Sequence, residues 1–144
     1  MVQAVQELKR TLVGAGLEIY RTRGERVHIA ERVRENLLMD SRVWVDASTL
    51  RVGCTVRAQR SDFPNDGEEL LFERARRLGE LAGAVGFVES TSNVQRIADP
   101  GDPSRTIDLW CEVELVREAE TPAAAVEGIR AALALARVAA ARTE

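Results

Sequence analysis

The chain has 144 residues, a formal net charge of −3 at pH 7, 45% hydrophobic and 30% charged residues. That is ordinary globular composition, and the length suits one domain, 1–144, able to bury a core without disulfide or metal staples. Slight acidity and an aromatic content of 4% supply neither the basic field nor the stacking platforms of a nucleic-acid-binding protein.

Residues 3–14 read as an amphipathic helix with Val5, Leu8, Leu12 and Val13 on one side, closed by Gly14 and Gly16. Leu17–Thr22 is a short strand, and Arg23-Gly24-Glu25 a turn. Ile29, Val33 and Leu37 recur at four-residue spacing, which favours a helix over 29–40, although Val27–Ile29 could also open a strand. Arg42–Asp46 and Leu50–Gln59 form a hairpin about Ala47-Ser48-Thr49, with Val52, Cys54, Val56 and Ala58 on one face. Ser61–Gly67 is rich in turn residues. Asp66, aided by Glu69, is placed to cap a helix that runs to about Ala82 and buries Leu71, Ala75, Leu78 and Ala82. Glu73 and Arg77 pair on its wet side.

Val85–Ser90, extending at most to Val94, is a strand, and the prolines and glycine of Ala98–Ser104 make a loop. Residues 106–116 alternate strictly. Ile107, Leu109, Cys111, Val113 and Leu115 take one side, and Asp108, Trp110, Glu112 and Glu114 the other, as in a strand with core on one face. Thr121 then caps a closing helix opened by Pro122. In it Gly128, Ala132, Ala136 and Ala140 form a ridge of small residues at spacing four, which permits close helix packing.

The expected fold class is α+β, a two-layer sandwich. Its sheet is antiparallel or mixed, of 4–5 strands, with helices mainly on one face. The order is that of a ferredoxin-like split βαβ with extra N- and C-terminal helices. With residues 27–39 extended, the order becomes α-β-β-β-α-β-β-α, which is similar in element order alone to small type III secretion chaperones.

Five residues stand out as a candidate partner-binding face. Trp44 and Trp110 fall out of phase with their apolar neighbours, beside Arg57, Glu112 and Glu114. An indole carries roughly 200 Å² of largely apolar surface, so two of them outside the core call for a cover: the chain's own helices and arginine stems, or a partner. The arginines at 21, 23, 26, 32 and 34 are interleaved with Glu25, Glu31 and Glu35 and read as a solvated face. Asp62, Asp66, Glu68, Asp99 and Asp102 lack calcium-loop spacing. His28, the single histidine, has no nucleophile at a telling distance in sequence.

These features point to a non-catalytic protein-interaction module: self-associating, adaptor- or chaperone-like, or a structural subunit of a larger bacterial or phage assembly. A small-ligand-binding regulatory domain and an enzyme with an unrecognised site are the alternatives. No catalytic residue, metal or cofactor is expected. The partner is a protein, as a homo-oligomer or larger assembly, with neither nucleic acid nor membrane. Cys54 and Cys111 sit on apolar strand phases and the first ten residues lack signal-peptide order, so the expected location is cytoplasmic.

Overall fold

The computed structural model describes residues 2–143, with side chains described for 3–135. The elements are α1 (Val2–Gly14), β1 (Ile19–Arg23), β2 (Arg26–Arg34), β3 (Leu37–Asp46), β4 (Val52–Gln59), α2 (Glu68–Gly83), β5 (Val88–Asp99), β6 (Asp102–Arg117) and α3 (Pro122–Thr143). The fold is α+β, with a six-stranded antiparallel sheet in the order β1-β2-β3-β4-β6-β5. This corrects the expected four or five strands and the ferredoxin-like order. Four strands precede α2, so the alternative order is short by one strand as well. No described helix is long and apolar enough to cross a membrane.

The expected helix over 29–40 is instead the β2–β3 hairpin, turning at Glu35-Asn36. Burial decides the contest. Val27 and Ile29 are fully enclosed, whereas Val33 and Leu37 of the four-residue spacing stay 50% and 41% exposed. Enclosing a Val or Ile side chain yields about 2 kcal/mol, more than the fraction of a kcal/mol per residue that helix propensity offers. A bulge interrupts the hairpin between His28 and Ala30. It is held by Ser41, whose Oγ donates to Ile29 O at 2.7 Å and accepts from Val43 N at 3.2 Å.

The chain divides into two compact units, residues 1–54 with 116–144, and residues 55–115. In the first, Val5, Leu8 and Leu12 of α1 and Ala125, Val126, Ile129 and Ala132 of α3 are buried with Val27, Val43, Val45 and Val52. Gly16, at φ +85°, ends α1 as expected. Thr121 Oγ1 accepts from Ala124 N at 3.1 Å, the anticipated cap. Gly128 faces Val52, where an added Cβ would stand 3.2 Å from Cγ2. The first half of the small-residue ridge therefore serves the unit's own packing and is not left for a partner. The side chains of Ala136 and Ala140 lie outside the described residues.

In the second unit, Leu71, Ala75, Gly79 and Ala82 of α2 are buried with Phe87, Leu109, Cys111, Val113 and Leu115. Gly79 takes the place expected of Leu78, since its missing side chain makes room for Leu115. Glu73 does pair with Arg77, at 2.9 Å. Asp66 does not cap α2. Gly67 holds the N-cap position without a side-chain bond, and the Asp66 carboxylate accepts from Arg74 Nε. The loop expected over 98–104 contracts to Pro100-Gly101, because β5 and β6 continue almost to the tip.

The pairing of β3 with β4 sets Trp44 opposite Gly53, between the pairs Val43↔Cys54 and Val45↔Val52. A Cβ on Gly53 would meet Trp44 Cε2 at 2.3 Å, so the indole rests where a side chain would be. Gly53→Ala forces a rigid ring to move and is expected to destabilise the protein by about 2 kcal/mol. Urea unfolding of this variant, alone and with Trp44→Leu, checks it: the loss shrinks when the ring is absent.

Candidate interaction face

The alternation read from residues 106–116 is present. Leu109, Cys111, Val113 and Leu115 are buried, while Asp108, Trp110 and Glu114 are half-buried. Ile107 departs from it at 52% exposure. Arg60 N donates to Leu109 O at 2.9 Å where β4 ends, so residue 107 precedes the stretch of β6 that β4 flanks.

Arg57 of β4 joins two of the other anticipated residues, Trp110 and Glu112. Its guanidinium carbon lies 3.8 Å from the centre of the Trp110 ring, a cation–π distance. Its Nη2 and Nε donate to Glu112 Oε2 at 3.1 and 3.4 Å. Glu112 is only 9% exposed, and the adjoining guanidinium makes burial of that charge tolerable.

On the other side of the indole, Trp110 Nε1 donates to Asp108 Oδ2 at 2.9 Å. Asp108 also accepts from Ser61 N and Oγ, both at 3.0 Å, and from Leu109 N at 2.8 Å. Partial burial pushes the Asp108 carboxyl upward, yet the hydrogen bonds from Trp110, Leu109 and Ser61 outweigh it and hold the pKa below the usual carboxylate value. Trp110 is thus a fixed platform, roofed by a cation and pinned by its polar edge.

Next to this group Thr55, Thr91, Asn93, Gln95, Glu112 and Glu114 line a groove of about 220 Å³. The β5 residues escaped the sequence reading because β5 is polar on both phases over residues 89–93 and shows no hydrophobic period. Asp108 and Ser61 were findable in principle, Asp108 being in phase with Trp110.

Trp44 is not part of this face. It belongs to the first unit and is 5% exposed, so of the two covers expected for this ring the chain's own arginine stem is the one present. Arg26 supplies that cover, 4.8 Å from the ring centre, and is steered there by bonds to Asp46 at 2.8 and 3.2 Å. His28 is opposite Trp44 in the β2–β3 register. Its Nδ1 is 3.6 Å from Asp40 Oδ2, and neither that nitrogen nor Trp44 Nε1 has a hydrogen-bond partner among the described residues. Burial lowers the His28 pKa below 6.5; Asp40 opposes this, and Arg21, Arg26 and Arg23 reinforce it.

The remaining candidates are spread over surface pairs and turns. Arg32 binds Glu18 at 2.6 Å, Glu68 binds Arg96 at 3.4 Å, and Asp99 and Asp102 accept from Gly101 and Ser104 within their own turn. Cys54 and Cys111 are buried and outside any disulfide, and burial pushes the Cys111 thiol upward, with Glu68 adding to the shift.

Two outcomes are expected. Arg57→Ala leaves Glu112 buried without its cation and should cost roughly 2–3 kcal/mol, largely recovered in Arg57→Ala/Glu112→Gln; denaturant unfolding measures both. A folded-state histidine pKa depressed below its unfolded value gives stability that is present above about 6.5 and lost as pH falls through the folded pKa. Melting temperature should therefore drop on acidification below 6.5, with a smaller drop in His28→Gln. Comparison with protein-family models, curated proteins and solved structures finds no match for this chain.

Proposed function

We propose that this chain is a non-catalytic protein-interaction module that self-associates through the open edge of β5, as an adaptor or structural subunit of a larger assembly. The observation that carries this reading is the contrast between the two sheet edges. β1 is five residues long and carries Arg21 and Arg23, the brevity and charge by which proteins protect an edge. β5 is 12 residues long, has no proline, and is exposed on both faces from Val88 to Asn93. Before Asp99 it bears only Glu89 and Arg96 as charges. Such an edge presents unpaired backbone donors and acceptors to an added strand. An antiparallel second copy satisfies them by two-fold symmetry, the commonest route to a closed oligomer.

The groove supports an interaction role over a metabolite site, since about 220 Å³ falls below the roughly 300–1,000 Å³ of small-molecule pockets. Two buried cysteines outside any disulfide suit a reducing compartment, so a cytoplasmic location belongs to the same reading.

Sedimentation velocity at micromolar and millimolar concentration tests it. The expected result is a particle of twice the 15.9 kDa chain mass at the higher concentration. The double variant Ser90→Lys/Ser92→Lys, which charges the edge, should remain at one chain mass. A wild-type protein that stays monomeric throughout overturns the reading.

A further inference from the structure

Glu112 and Glu114 leave β6 on the same face, and they are served differently. Glu112 has its cation, Arg57 at 3.1 Å. Glu114 is half-buried, and no described residue gives its carboxylate a hydrogen bond or an ion pair. Beside it lies the groove of about 220 Å³, room for roughly seven waters at ~30 Å³ each. Its lining offers two carboxylates, the amides of Asn93 and Gln95 and the hydroxyls of Thr55 and Thr91, with no cationic side chain. Arg57 balances one of those two charges. The other has only neutral amides and hydroxyls near it, and no described residue bonds to it.

We propose that this groove receives the guanidinium of an arginine carried by an extended segment of a partner polypeptide, with Glu114 as counter-charge. A guanidinium presents five N–H donors in a planar fork, and acceptors converging from three strands suit it better than the point charge of an ammonium. The same face already demonstrates this chemistry internally, in the guanidinium of Arg57 set over Trp110 and bonded to Glu112. Glu114 and the groove repeat half of that arrangement and leave the cation to come from outside. The volume fits a side chain rather than a whole metabolite. This inference concerns a side-chain face and the preceding one a backbone edge, so either can fail while the other stands.

The test uses the full chain, isotope-labelled for amide spectra. It is titrated to millimolar concentration with the blocked peptide Thr-Val-Thr-Arg-Thr-Val-Thr and with its citrulline counterpart, which keeps the shape and removes the charge. The expected result is amide shifts at Thr91, Asn93, Gln95 and Glu114, with about tenfold weaker binding of the citrulline peptide. Glu114→Gln should weaken the arginine peptide by a similar factor while leaving the unfolding midpoint unchanged, because no described residue bonds to Glu114. Equal binding of the two peptides, shifts confined to other surfaces, or no binding overturns the proposal. So does spermidine binding as tightly as the arginine peptide, which would assign the groove to a free polyamine.

Discussion

An indole lying flat on a glycine is the constraint that shapes the first unit. Consecutive residues of a strand point to opposite faces, so burying Val43, Trp44 and Val45 in succession requires cover on both sides of β3. α3 supplies it on the valine side, with Gly128 against Val52. On the other side Trp44 covers the sheet itself by spreading over Gly53, and Arg26 covers Trp44. Removing the glycine's vacancy would lift the ring, separate it from Arg26 and open the strand that the unit is built around. The unpaired nitrogens of Trp44 and His28 are the cost of so dry an arrangement.

Arginine does repeated structural service in this chain. Of 20 basic residues 19 are arginine, Lys9 being the exception. Guanidinium groups lie over Tyr20, Trp44, Trp110, Phe63 and Phe72. Each such contact is worth about 0.5–1 kcal/mol when exposed, and each also lets an aromatic ring sit at the surface without presenting a bare apolar patch. Arg26, Arg57 and Arg74 are in turn tethered to Asp46, Glu112 and Asp66. The recurring unit is aromatic, arginine and carboxylate. A lysine, without a planar face to stack, would serve it poorly.

Where the sequence was readable, a local signal coincided with the tertiary outcome. The glycines after α1, Thr121-Pro122 before α3, the β3–β4 hairpin and the alternation of β6 are local chemistry, and the structure keeps them. Residues 29–40 were misread because Ile29, Val33 and Leu37 share a helical spacing that a hairpin also permits. The spacing alone does not reveal that β2 lies between β1 and β3 in the sheet. Ala98–Ser104 looked like a loop for a related reason. Proline and glycine mark a turn but do not give its length, which the pairing of β5 with β6 sets. Arg57, Trp110 and Glu112 could be named as a group from strand phase, whereas Thr91, Asn93 and Gln95 could not, since a polar edge strand carries no period.

By itself the sequence determined the chemistry of the two sides of β6, the stop of α1 and the start of α3, because these depend on side-chain alternation and on backbone groups within a few residues. Only the tertiary structure decided which tryptophan is enclosed. Trp44 and Trp110 stand in the same phase relation to their neighbours, and the difference lies in what the fold brings to each ring: opposite Trp44 a glycine that leaves room for it to lie down, and over Trp110 an arginine that holds it at the surface.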